Sequence, residues 1–219
     1  VNDYGMEADK QGSQLKARDG TVVTAALQRQ RYLELLKALC DGGTPPDGVG
    51  LQSHTGGWLS HRAQVAVYDQ MATSGLPIHI TEFWASTKEL EALGKHAQDE
   101  IDAMQAEYVV DYLTCAFGHP AVEAFFFWGL TGSTVRWYDR SSHELKPLYY
   151  RLRDLLHKEW MTRLQPTTNA QGVVQFRGFF GNYHARLQVR PGYTVALPFT
   201  IAREHGAQIT LQAPARWKP

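Results

Sequence analysis

A single carboxylate, Glu82, ends a short apolar segment, Leu-Pro-Ile-His-Ile-Thr-Glu-Phe, at residues 76–83. The segment is rich in β-branched residues, which predicts a buried strand. A carboxylate without partners is strongly unfavourable in an apolar setting, and chemistry is done at the carboxyl ends of the strands in a barrel of alternating strands and helices. Glu82 is therefore the first candidate catalytic residue.

Polar and aromatic side chains also stand at the ends of three other apolar segments. The first offers Asn2, Asp3 and Tyr4, with Glu7 in the following loop, the second offers Gln52 and His54, and the fourth offers Trp128 followed by Trp137. Trp84 stands beside Glu82 in the third. If the segments are parallel neighbours, these side chains converge on one mouth. A carboxylate with amide, imidazole and aromatic neighbours, and with neither a phosphate-binding glycine loop nor a metal-ligand cluster, favours a neutral polyhydroxylated ligand.

The elements that must position these residues alternate along the chain. Short apolar strands followed by longer amphipathic segments predict parallel βα units. The strands are expected at residues 1–4, 47–54, 76–83 and 122–128, and the helices at about 21–40, 61–74, 98–117 and 147–158. Thr21 is the predicted N-cap of the first helix. The sequence therefore predicts an α/β architecture of four βα units.

A different pattern follows the last helix. Alternating segments at residues 173–177, 183–189 and 208–211, separated by Gly and Pro turns, predict a small antiparallel β appendage. The predicted domains are therefore residues 1–160, which form the βα units, and residues 161–219, which form the appendage.

Composition excludes several classes of function. Twenty-two basic residues balance 22 acidic ones, so no net field favours nucleic acid or an anionic membrane as a partner. No apolar run approaches the roughly 20 residues that span a bilayer, and no basic-then-apolar leader opens the chain. Cys40 and Cys115 suit neither a disulfide framework nor a metal or redox motif, so no cofactor is expected.

Four motifs together resemble one known family. They are Asn2-Asp3-Tyr4, Gly48-Val49-Gly50-Leu51-Gln52-Ser53-His54, the 76–83 segment with its Ile-Thr-Glu, and Phe127-Trp128-Gly129-Leu130. In order and spacing they resemble the fifth to eighth barrel strands of family 10 glycoside hydrolases, the retaining endo-β-1,4-xylanases. The resemblance implies the C-terminal half of a TIM (β/α)8 barrel, with xylan or xylo-oligosaccharide as the substrate.

The resemblance also implies roles for individual residues. Glu82 corresponds to the nucleophile, which His54 would hold in its charged form and Gln52 would help to orient. Asn2, Tyr4, Trp84, Trp128 and Trp137 are the remaining expected substrate-binding residues. Retaining hydrolysis needs a second carboxyl group, but the family's acid/base motif contains an Asn-Glu pair, and this chain has none. The acid/base Glu is therefore expected outside these 219 residues.

Each assignment has a structural alternative. Glu82 could be a salt-bridged carboxylate at a strand end, and His54 a hydrogen-bonded residue without contact to substrate. Trp128 and Trp137 could be core aromatics, and Asn2 and Tyr4 could be disordered near a chain end. Trp84 and Gly5 also depart from the family, which commonly has Asp near the first position and Asn at the second.

Half a barrel exposes strand edges and an apolar interior. The expected partner is therefore an N-terminal half of the same barrel or a second copy of the chain. The substrate class implies a secreted or extracellular protein. The alternative function is that of a carbohydrate-binding or scaffold fragment that lacks the acid and does not catalyse.

Overall fold

The computed structural model describes residues 1–9, 16–54, 58–129, 137–202 and 208–212, without the side chain of Glu89. Contacts divide the chain into two compact units, Val1–Arg153 and Asp154–Pro219. The domain boundary drawn from the sequence, between residues 160 and 161, stays a prediction. Of the helices in the described ranges, none combines the length and the apolar character that a bilayer span requires.

The first unit alternates parallel strands with helices. In chain order it contains β1 (Asn2–Asp3), α1 (Ala25–Asp41), β2 (Val49–Leu51), α2 (His61–Ala72), β3 (Ile78–Phe83), α3 (Lys88–Leu93), α4 (Gln98–Gly118), β4 (Val122–Phe127) and α5 (Pro147–Asp154). The four strands form one sheet in the order β1-β2-β3-β4, and each neighbouring pair is parallel. Parallel strands in sequential order place all their carboxyl ends on one edge of the sheet. The predicted βα alternation is confirmed.

One face of the sheet is buried against helices. Ile78, Ile80 and Phe83 of β3 are fully buried, and the Phe83 ring lies 4.4 Å from the ring of Tyr112 in α4. In α2, Gln64 donates from Nε2 to the Tyr112 carbonyl at 2.8 Å. Side chains alternate along a regular strand, but a register shift between Ile80 and Phe83 interrupts the alternation in β3. Phe83 is therefore buried although it is three residues after Ile80, and Thr81 and Glu82 between them are only partly buried.

Helix starts show where the sequence reasoning was inexact. Thr24, rather than the predicted Thr21, caps α1, and its hydroxyl accepts the Leu27 N–H at 3.1 Å. Thr21 belongs to the preceding turn, in which its N–H donates to Asp19 at 2.9 Å. The short helix α3 was not predicted. It ends at Gly94, whose φ of 61° is left-handed, a conformation that glycine adopts without steric cost.

The second unit contains a π-helical turn, Leu155–Glu159, and a two-stranded antiparallel sheet of β5 (Gly181–Arg190) and β6 (Tyr193–Ile201). The antiparallel appendage is confirmed, but strands at 173–177 and 208–211 were wrongly predicted. Strand β6 was missed because it contains Pro198. In a two-stranded sheet both strands are edges, where proline is tolerated.

Candidate active site

Glu82 lies in β3, near the carboxyl edge of the sheet. Its Oε2 is 3.4 Å from Nε2 of His54, and the two side chains are 20% and 18% exposed. Its Oε1 is 3.5 Å from Nδ2 of Asn2, which is the donor. Both contacts are longer than an ordinary N–H···O hydrogen bond. The carboxylate thus stands between two polar groups from other strands and remains open to solvent.

Asn2 is oriented by the residue that precedes Glu82. The Thr81 hydroxyl donates to Asn2 Oδ1 at 2.8 Å and also approaches the Leu51 carbonyl at 3.3 Å. Since the amide oxygen accepts from Thr81, the amide nitrogen is the end that faces Glu82. Sequence reasoning did not select Thr81. Its direct attachment to Glu82 in the Ile-Thr-Glu motif was the available signal.

Asn2 reaches this position because β2 has a glycine opposite it. Asn2 is paired in register with Gly50. A Cβ added at Gly50 would lie 2.6 Å from Asn2 Oδ1 and 3.0 Å from Asn2 Cα. Any side chain there would push Asn2 away. Close approach of two backbones is a common reason for glycine inside a strand.

Two tryptophans surround the His54 ring. The Trp84 ring meets it edge-on with centroids 5.1 Å apart, and the Trp128 ring lies 5.8 Å away. An isolated parallel bridge joins His54 and Trp84, and the Trp128 N–H donates to the Phe83 carbonyl at 3.0 Å. The ends of β2, β3 and β4 therefore bring His54 and both indoles to the same edge as Glu82.

Three predicted binding residues lie in less direct positions. The Gln52 N–H donates to the Asp3 carbonyl at 3.0 Å, which places Gln52 beside the end of β1. The Tyr4 N–H donates to the Asp3 carboxylate at 2.8 Å, and Gln28 donates to the Tyr4 carbonyl. The Trp137 ring packs edge-on against Phe127 with centroids 4.9 Å apart. Their roles in substrate binding stay predictions.

A buried polar pair includes the residue that precedes His54, and neither of its members was among the predicted site residues. The Ser53 hydroxyl donates to Oε1 of Glu7 at 2.7 Å, and both residues are buried. Burial raises the pKa of the Glu7 carboxyl, and the hydrogen bond from Ser53 opposes that rise. Nothing in the local sequence marks Glu7 as buried, because its hydrogen-bond partner Ser53 lies 46 residues further along the chain.

The chemistry available here is that of a single positioned carboxylate. Among the described residues, no group of three or more His, Cys, Asp or Glu side chains could hold a metal ion. Glu82 can attack an electrophilic carbon or stabilise positive charge. The imidazole and the amide beside it can hold the carboxylate in one orientation when they donate to it.

Two known proteins are similar to most of this chain. The chain is 27% identical over 175 residues to the anti-sigma-I factor RsgI6 of Acetivibrio thermocellus, across 78% of this chain and 21% of that protein. It is 25% identical over 190 residues to endo-1,4-beta-xylanase 1 of Arabidopsis thaliana, across 82% of this chain and 18% of that protein. The chain therefore spans only about a fifth of the length of either relative.

A solved structure supports the same fold. Xylanase 10B from Thermotoga petrophila, determined in complex with xylobiose, matches with a TM-score of 0.50 and 24% identity, covering 72% of this chain and 46% of that chain. Together with the open parallel sheet, this match confirms the predicted half of a TIM barrel. The family model for glycosyl hydrolase family 10 matches residues 7–154. Since that model covers more than half of the 219 residues, the chain belongs to glycosyl hydrolase family 10.

Proposed function

We propose that this chain supplies the nucleophile half of a retaining endo-1,4-β-xylanase, with Glu82 as the nucleophile. The observation that carries the proposal is the position of Glu82 near the end of a parallel strand, 3.4 Å from His54 and 3.5 Å from Asn2, within a segment of family 10. A partly exposed carboxylate held between polar groups from neighbouring strands suits attack on a sugar ring.

In the proposed first step, a Glu82 carboxylate oxygen forms a bond to the anomeric carbon while the bond from that carbon to the leaving-group oxygen breaks. The leaving oxygen takes a proton from an acid, which then acts as a base when water releases the sugar from Glu82. Two carboxyl groups about 5–5.5 Å apart are needed for this sequence. Glu7 does not fit the role of the acid, because it is buried and bonded to Ser53.

His54 and Asn2 are proposed to aim the nucleophile. Each stands next to a different oxygen of the Glu82 carboxylate, so together they define the plane of the group. Catalytic hydrogen bonds are often long in a free enzyme and shorten when substrate binds. Trp84 and Trp128, which enclose the His54 ring, offer flat apolar surfaces for a sugar.

The proposed substrate is xylan or a xylo-oligosaccharide. This proposal is supported by family membership, by the similarity to a plant endo-xylanase and by the xylobiose bound to the Thermotoga petrophila enzyme of the same fold. A polymeric plant substrate lies outside the cell, so we propose a secreted or extracellular protein.

The proposed partner is the other half of the barrel, from the same polypeptide or from a second copy of this chain. The four-stranded sheet is open, with β1 and β4 at its two edges, and open parallel edges present unpaired backbone groups. Completion by an N-terminal half, in contrast to a second copy of these residues, would also bring the missing acid opposite Glu82.

A mechanism-based label tests the proposal. The full-length protein is incubated with an activated 2-deoxy-2-fluoro xylobioside, and its peptides are analysed by mass spectrometry. We expect a covalent sugar on the peptide that contains Glu82 and no label in Glu82→Gln. Label on another carboxylate, or turnover of xylan that persists in Glu82→Gln, would contradict the assignment of Glu82.

A second candidate is a carbohydrate-binding protein that does not catalyse. It is favoured by the missing Asn-Glu pair and by the match to a protein named as an anti-sigma-I factor rather than a hydrolase. Calorimetric titration with xylohexaose separates the two candidates. Binding without label or turnover supports the second candidate, whereas labelling at Glu82 supports the first.

A further inference from the structure

A second carboxyl group, Glu7, is hydrogen-bonded to Ser53, the residue that precedes His54. Its side chain is 5% exposed and accepts a 2.7 Å hydrogen bond from the Ser53 hydroxyl. No cationic side chain in the described part of the chain forms an ion pair with it. A buried carboxyl group has a cost, and the attack on substrate proposed above makes no use of it.

Ser53 has an unusual backbone. Its φ is 58°, and His143 is the only other non-glycine residue with a positive φ in the described chain. A left-handed conformation is disfavoured for residues with a Cβ, so surrounding contacts must hold it. Ser53 is fully buried, and His54 follows it directly. The turn at Ser53 therefore sets the direction in which His54 leaves β2.

Both the carbonyl and the hydroxyl of Ser53 have contacts that hold this turn. The Ser53 carbonyl accepts the Trp84 N–H at 3.3 Å, which ties it to the end of β3. The Ser53 hydroxyl is tied to Glu7. The Glu7 bond is the shorter of the two and is buried, so it is the stronger restraint.

Glu7 is itself held in place by α1. Arg29 donates from Nη1 to the Met6 carbonyl, and its Nε donates to Gln70 Oε1 of α2 at 2.6 Å. Met6 is fully buried. Because the segment around Glu7 is anchored independently of Ser53, Glu7 can act as a fixed point for the turn.

We propose that Glu7 is a positioning residue, whose hydrogen bond to the Ser53 hydroxyl holds Ser53 in its left-handed conformation and so directs His54 toward Glu82. This inference rests on the proposed glycosidase function for its activity test. Structurally, the inference depends on the contacts that run from Glu7 through Ser53 to His54 and Glu82.

The surroundings of Glu7 fit this role. Burial raises the pKa of its carboxyl, and the titratable groups that face it are the Tyr112 and Tyr68 phenols, whose pKa values burial also raises. The Tyr112 hydroxyl lies 3.4 Å from Ser53 Oγ. The Ser53 hydroxyl requires an acceptor oxygen at position 7, and Gln would supply one.

The matched pair Ser53→Ala and Ser53→Gly tests the proposal without changing Glu7. Both variants lack the hydroxyl, but glycine adopts a positive φ without steric cost and alanine does not. In the full-length protein we expect Ser53→Ala to lower kcat on xylan about 10- to 100-fold, as small misplacements of catalytic groups do, with little change in KM. Ser53→Gly should stay within a few-fold of the wild-type value, and equal kcat values for the two variants would overturn the proposal.

Rescue extends the test to Glu7. Glu7→Leu should lower kcat as Ser53→Ala does. Glu7→Gln, which keeps an acceptor oxygen, should retain most of the wild-type kcat. Ser53→Gly should restore activity when it is combined with Glu7→Leu. A purely structural role for Glu7 would lower the melting temperature of Glu7→Leu without rescue by Ser53→Gly. Absence of that rescue in a folded double variant would overturn the proposal.

A measurement that does not need turnover separates failure of this inference from failure of the proposed function. The ring signals of His54 are followed by NMR over a pH titration, with and without Glu82→Gln. We expect the titration midpoint to respond to Glu82→Gln in the wild type and in Ser53→Gly, and to respond much less in Ser53→Ala. The same response in all three backgrounds would overturn the positioning role even if xylan is not the substrate.

Discussion

The carboxyl groups of Glu82 and Glu7 differ in burial and in the length of their polar contacts. Glu82 is partly exposed, with polar neighbours at 3.4 and 3.5 Å. Glu7 is buried, with its partner at 2.7 Å. Loose contacts leave Glu82 able to adjust to a ligand, whereas the short buried contact fixes a backbone turn. We call Glu82, His54 and Asn2 the upper layer, which is arranged for reaction. Glu7 and Ser53 form the lower layer, which holds the backbone turn in position.

The two layers are connected by adjacent residues. Ser53 belongs to the lower layer and His54 to the upper one. On β3, Thr81 orients Asn2 and is followed by Glu82 itself. A substitution in either layer should therefore also affect the residues of the other layer, but to a different extent. The four changes below test that expectation, in order of decreasing effect.

Glu82→Gln should have the largest effect, because it removes the proposed nucleophile and leaves the lower layer intact. We expect kcat/KM on xylan to fall about 10⁴-fold or more, with an unchanged melting temperature. The matched control is Glu123→Gln, which changes an exposed carboxylate in the neighbouring strand, 4.0 Å from His79. Activity in Glu82→Gln comparable to that of the control would show that the upper layer is not catalytic.

Gly50→Ala should have the next largest effect, because it displaces Asn2 without touching Glu82. The added methyl group would meet Asn2 Oδ1 at 2.6 Å. We expect a loss of about 1–3 kcal/mol in the free energy of unfolding, which is typical of overpacking, together with a lower kcat. Gly48→Ala is the milder control, since its nearest atom would be the Pro77 carbonyl oxygen at 3.2 Å. Equal losses in denaturant titrations and kcat would argue against a special role for the Asn2 contact.

Trp128→Ala should have a smaller effect, limited to ligand binding. Trp128 is 51% exposed, so truncation should leave the melting temperature nearly unchanged. We expect KM for xylo-oligosaccharides to rise by about 2- to 12-fold, which corresponds to the usual contribution of an aromatic contact. Phe117→Ala serves as the control, since that ring is 50% exposed on α4. If both variants leave KM unchanged, Trp128 does not contact the sugar.

Glu7→Gln should have the smallest effect, visible mainly in how stability depends on pH. The Glu7 pKa is raised in the folded state from its ordinary value of 4.5. The stability it contributes is therefore complete below that value and is lost as the pH rises through the raised value. Chemical denaturation between about pH 4 and pH 8 should show the variant gaining stability relative to the wild type as the pH increases. A constant difference across that range would mean that Glu7 is not held neutral.

Sequence reasoning succeeded where one segment carries its own signal. The 76–83 segment is short, β-branched and bounded by turn residues, so its strand and the exposure of Glu82 at its end followed from local pattern. The four βα units followed in the same way, from alternating apolar segments. Residues whose types suit sugar binding, such as His54 and Trp128, could be named because they stand at these strand ends.

Contacts between distant segments could not be predicted from the sequence. Glu7 is buried and hydrogen-bonded to Ser53, 46 residues further along the chain, and no local pattern encodes that contact. The positive φ of Ser53 is equally hidden, since serine rarely adopts it. In the second unit, the alternation at 173–177 gave a false strand, since among the described residues no partner strand pairs with it, whereas β6 gained a partner in β5 despite its proline.

The glycine opposite Asn2 also limits how this sequence can change. Because a Cβ at Gly50 would overlap Asn2, a larger residue at position 50 is tolerable only if residue 2 moves or becomes smaller. Residue 2 in turn carries the amide beside Glu82. The two positions can therefore be redesigned only together, and a library that varies either one alone would recover mostly the parental residue.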